Sequence, residues 1–69
     1  MSDYYKDQYG GLYFVGSSDR GWTIYCKPAG RKPLVYGAKC WGAGRSEVER
    51  RLEEMARAMK LTRIEKPEL

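Results

Sequence analysis

Apolar and polar positions alternate through the first 41 residues and change to a helical spacing in the last third of the chain. Residues 10–41, "GGLYFVGSSDRGWTIYCKPAGRKPLVYGAKCW", hold three runs rich in aromatic and β-branched side chains. The stretches between them, "GSSDRG" and "KPAGRK", have the glycine, proline and polar content of hairpin connections. The pattern predicts strands near 12–15, 22–27 and 33–39. Loops this short make consecutive strands antiparallel, since a parallel pair needs a crossover of a dozen or more residues. In the middle strand Trp22, Ile24 and Cys26 alternate with Thr23, Tyr25 and Lys27, so the first set is expected in the core and the second on the opposite face. In the first strand Leu12 and Phe14 are expected inward; for the third, neither face is selected.

Ser46 followed three residues later by Glu49 reads as a capping box opening a helix over 46–60. Val48, Leu52, Met55, Ala56 and Met59 then form one apolar stripe that must be buried against the sheet. Glu47 with Arg51, Arg50 with Glu54, and Glu53 with Arg57 stand four apart on the solvated side. The expected fold is α+β: a three-stranded antiparallel meander packed against one C-terminal helix. It is read as a single domain over 1–69, with an aromatic N-terminal arm (1–10), the sheet (11–41), the helix (46–60) and a tail (61–69).

Size limits what such a chain does. A domain of 69 residues hides only roughly 60% of the surface its unfolded chain exposes, which leaves no room for a deep small-molecule pocket. The chain has no histidine and no paired carboxylates outside the balanced helix, so no base, nucleophile or metal set is evident and no enzymatic activity is expected. Cys26 and Cys40, fourteen apart, fit neither a redox pair nor a zinc cluster and are read as reduced, half-buried thiols. No cofactor or metal is expected. The longest apolar run, "LYFV", is far too short to cross a bilayer, and the acidic start lacks the features of a secretory signal, so a cytoplasmic location is the expectation.

Charge is more informative by segment than in its total of +4. Residues 1–19 are net acidic, 46–60 balance, and the tail balances; the whole excess lies in 20–45, which holds Arg20, Lys27, Arg31, Lys32, Lys39 and Arg45 and no acidic residue. With the helix on one side of the sheet, Thr23, Tyr25 and Lys27 occupy the other, and the hairpin loops add Arg20, Arg31 and Lys32. Lys39 and Arg45 complete the candidate binding set. Cations beside a tyrosine suit a phosphate backbone, where they release condensed counterions and the hydroxyl bonds a phosphate oxygen. Trp22 and Trp41 are read as core rather than stacking platforms. Tyr4, Tyr5, Tyr9 and Tyr13 either pack an arm along the sheet or form part of a binding surface. The glycines of "GAGR" make a tight lead into the helix, since the phosphate-loop pattern is absent.

The order "LYFV", a glycine-containing turn, "WTIYC", "KPAGRKPLVYG" and an amphipathic helix resembles the arm-type DNA-binding domain of phage tyrosine-recombinase integrases over roughly residues 11–60. That resemblance implies an AP2-like fold whose sheet enters the major groove, with duplex DNA as partner. It would place Tyr25, Lys27, Arg31 and Lys32 on the DNA and leave Trp22 and Ile24 in the core. The alternative is a small phage-encoded inhibitor of the anti-CRISPR kind, which uses the same face on a protein partner, since tyrosine and arginine are also enriched at protein interfaces.

Overall fold

The computed structural model describes residues 4–36 and 42–65. Five antiparallel strands and one helix follow in chain order: β1 (Tyr4–Lys6), β2 (Leu12–Ser18), β3 (Gly21–Lys27), β4 (Leu34–Val35), α1 (Arg45–Met59) and β5 (Thr62–Ile64). The spatial order is β4-β3-β2-β1-β5. The expected meander is therefore present as β2-β3-β4, and α1 packs on one side of β2 and β3. Two strands were not expected: the segment read as an arm supplies β1, and the segment read as a tail supplies β5, which pairs with β1. Both are three residues long, too short to show a period of their own.

The β2–β3 hairpin sets the faces. Its two-residue loop, Asp19–Arg20, joins the Ser18–Gly21 pair; Gly21 takes φ +111°, and the Ser18 hydroxyl donates to the Gly21 carbonyl at 2.9 Å. Counting back from that turn puts Tyr13 opposite Cys26 and Val15 opposite Ile24. Cross-strand partners share a face, so with Ile24 inward Tyr13 and Val15 must also be inward. The expectation of Leu12 and Phe14 inward is thus corrected: both lie on the helix-free side. The sequence reading began the turn at Gly16, whereas the strand runs on to Ser18.

The core consists of Tyr5, Tyr13, Val15, Ile24, Val48, Leu52 and Ala56, with Trp22, Cys26, Met55 and Leu61 packed around it. Val48, Leu52 and Ala56 are the deep part of the expected helical stripe, whereas Met59 at its end is exposed. Burial of a side chain such as Leu52 contributes roughly 1.5–3 kcal/mol. Ser46 does not cap the helix. The helix starts one residue earlier, at Arg45, and Gly44 is the N-cap without a side-chain bond, so the Ser46 hydroxyl is already inside the first turn. The pairs Glu47–Arg51 (3.2 Å) and Glu53–Arg57 (2.8 Å) form as the spacing predicts, and Arg45 approaches Glu49 at 3.8 Å. Arg50 and Glu54 make no ion pair among the described residues.

The chain leaves the helix through Lys60, which adopts the left-handed conformation (φ 56°, ψ 44°) while the Leu61 amide donates to the Ala56 carbonyl at 2.8 Å. This reversal aims the chain back along β1 to form β5. A Cβ is costly in that conformation and glycine has none. Replacing Lys60 by glycine is expected to raise stability by about 0.5–1 kcal/mol in urea titrations, with no change in the slope.

Candidate functional site

The helix-free face is built by register. One row crosses all five strands: Ile64, Tyr4, Phe14, Tyr25 and Val35 stand side by side from β5 to β4. Its central rings lie in a continuous offset stack. Tyr4 and Phe14 have centroids 5.1 Å apart at 26°, and Phe14 and Tyr25 have centroids 5.7 Å apart at 20°. All three rings are half-buried. The next row toward one end of the sheet is Thr62, Lys6, Leu12 and Lys27. Among the described residues no strand position on this face carries an acidic residue.

Tyr25 is held by its surroundings. Its hydroxyl donates to the Ser17 carbonyl at 3.3 Å, and its ring covers Gly16 so closely that a Cβ there would lie 2.8 Å from Cε2. Glycine at 16 therefore seats the ring low on the sheet. Lys27 ends β3, and Arg31 and Lys32 follow in the exposed β3–β4 connection. The β1–β2 turn touches that connection: a Cβ on Gly10 would meet the Ala29 Cβ at 3.6 Å. Lys6, Lys27, Arg31 and Lys32 thus share one end of the sheet. Among the described residues no carboxylate lies within ion-pair distance of any of the four. The nearest acid in sequence, Asp7, is occupied: its Oδ1 accepts from the Tyr9 and Gly11 amides, both at 2.8 Å, and its Oδ2 from the Tyr13 hydroxyl at 3.3 Å.

Of the eight residues expected from the sequence, Tyr25, Lys27, Arg31 and Lys32 meet on or beside this face. Thr23 points to the same side but is fully buried, 0% exposed, and already engaged, so it presents nothing to a partner. Arg20 is exposed in the β2–β3 loop, at the opposite end of β3 from Arg31. Arg45 belongs to the helix side, where its guanidinium lies 5.2 Å from the Trp22 ring centroid and near Glu49. Lys39 lies outside the described residues. Sequence reasoning missed Lys6 and Phe14, and left Tyr4 open between an arm packed along the sheet and a binding surface. The alternation of Tyr4 and Lys6 was the available signal, but a three-residue strand does not declare its partner.

A second cluster lies on the helix side, where Asp7, Tyr13 and Cys26 adjoin. Burial above all, then the neighbouring Cys26 and Asp7, push the Tyr13 hydroxyl well above the ordinary tyrosine value. It stays protonated near neutrality and serves as a donor that ties the turn to the core, not as an acid or base. The Cys26 thiol is free. Beside Asp7 and Tyr13 a groove of about 590 Å³ runs between the β1–β2 turn and the helix end, lined also by Gln8, Tyr9, Met59 and Lys60. Among the described residues no group of three or more His, Cys, Asp or Glu side chains could hold a metal, and no helix is long and apolar enough to cross a membrane.

Two outcomes test this geometry. Gly16→Ala is expected to displace Tyr25 and lower stability by about 1–3 kcal/mol, with altered tyrosine near-ultraviolet dichroism. Because the Tyr13 proton is held more tightly in the folded chain, stability is expected to fall as the pH rises past about 10, where the unfolded tyrosine ionises. Tyr13→Phe should remove that part of the decline in alkaline urea titrations. Comparison with known proteins supplies no relative: no family model, no curated protein and no solved structure matches the chain.

Proposed function

We propose that this chain is a small nucleic-acid-binding protein that docks through the helix-free face of its sheet. The observation that carries the reading is the grouping of Lys6, Lys27, Arg31 and Lys32 at one end of a face whose described strand positions hold no acidic residue, next to Tyr25 and its stacked neighbours. Cations without carboxylate partners keep their full charge for an external polyanion, and the counterions they displace from it drive association. Duplex DNA, the partner implied by the integrase resemblance, and single strands share that phosphate chemistry.

The second reading, a small inhibitor with a protein partner, is favoured by one observation. Leu34, Val35 and Tyr36 are three consecutive exposed apolar residues at the β4 edge, where the aromatic row ends. Such an edge suits a protein surface better than a phosphate backbone. The unpaired cations, however, have no role in it, and the first reading stands ahead for that reason.

Salt separates the two. With about four phosphates neutralised, the affinity for a DNA duplex carrying a single-stranded overhang should fall with a log–log slope of roughly −3 to −3.5. Replacing Lys27, Arg31 and Lys32 together by alanine should flatten that slope to about −1 and leave the thermal unfolding intact. Absence of any retention by the wild-type chain at about 50 mM salt sinks the nucleic-acid reading.

A further inference from the structure

Resting on that reading, we infer that the face takes unpaired bases: its ligand is a single strand, DNA or RNA, laid across the β-strands, and not a duplex. The first argument is dimensional. At an interstrand spacing of about 4.8 Å, five strands put about 19 Å between the outer ones, and the seven residues of β2 and β3 run about 23 Å. The major groove of duplex DNA is about 12 Å wide and admits a helix or a two-stranded ribbon. A five-stranded platform is wider than that groove. The three strands of the expected meander, β2, β3 and β4, span about that width; β1 and β5 broaden the face beyond it.

The second argument is chemical. Duplexes present phosphates, sugars and polar groove edges, for which a row of Ile64, Tyr4, Phe14, Tyr25 and Val35 offers little. Unpaired bases present π-faces, and aromatic rings on a sheet are what they stack on. The rings here remain usable. Near-parallel planes with centroids more than 5 Å apart overlap only in part, so each ring keeps some of its face uncovered, in accord with their half-buried state. Charge is placed to match. Lys6 follows Tyr4 by two residues and Lys27 follows Tyr25 by two, so both ammonium groups spring from a row about 7 Å to one side of the rings. A strand with its bases on the aromatic row has its backbone on that lysine row, which continues into Arg31 and Lys32.

The test is fluorescence anisotropy at about 50 mM salt with three probes of equal length, about ten nucleotides: an oligo-dT strand, an oligo-U strand and a blunt mixed-sequence duplex. Single strands should bind at least about tenfold more tightly than the duplex. Phe14→Leu and Tyr4→Leu, which keep apolar bulk but remove the ring, should each weaken the single strands by roughly 5- to 100-fold and leave duplex binding within about twofold. Equal or tighter binding of the duplex overturns the inference while leaving the nucleic-acid reading in place. Binding of none of the three overturns both. The wild-type comparison decides the matter even if a ring variant fails to fold.

Discussion

The pairing register between β2 and β3 is the constraint on which the other features depend. Seven consecutive pairs, closed by a two-residue loop with glycine at its exit, determine which side chains of the two longest strands meet α1. A slip of one residue would exchange the faces, sending Tyr13 and Val15 to solvent and Leu12 and Phe14 under the helix. With the observed register, Tyr13, Val15, Ile24 and the helical Val48, Leu52 and Ala56 close a small core. What is left over, Phe14 and Tyr25, becomes the centre of the opposite face.

That division also separates two uses of charge. On α1, acids and bases alternate and pair at four-residue spacing, so the helix presents a solvated, nearly neutral exterior. Exposed pairs of this kind add little stability. Among the described residues the cations on the open side of the sheet have no such partners, and Asp7, next to Lys6 in sequence, is committed to two amides and the Tyr13 hydroxyl. The turn that Asp7 organises keeps it from neutralising Lys6. The aromatic row serves two ends at once: cross-strand stacking coheres β1, β2 and β3, and the uncovered part of the same rings forms a surface.

The deep side chains of the helix and the alternation of Trp22, Ile24 and Cys26 against Tyr25 and Lys27 were legible because each pattern repeats within one element. So was the acid-free segment that supplies Lys27, Arg31 and Lys32. The start of the helix was misplaced because Ser46 and Glu49 fit a capping pattern that Gly44, two residues earlier, preempts. Lys6 and Phe14 were missed, and Tyr4 left open, for a different reason: their place on the face depends on which strand lies beside which.

By itself the amino-acid sequence determined the types of β2, β3, β4 and α1, the antiparallel hairpins, the buried stripe of α1 and the location of the excess positive charge, since all of these follow from local spacing and composition. Only the tertiary structure decided that β1 and β5 widen the sheet to five strands, that Phe14 joins Tyr4 and Tyr25 in one row, that Thr23 is enclosed and that Arg45 turns to Trp22 on the helix side. These depend on pairing between segments far apart in the chain, and a three-residue strand such as Thr62–Ile64 has no internal period from which its neighbour could be read.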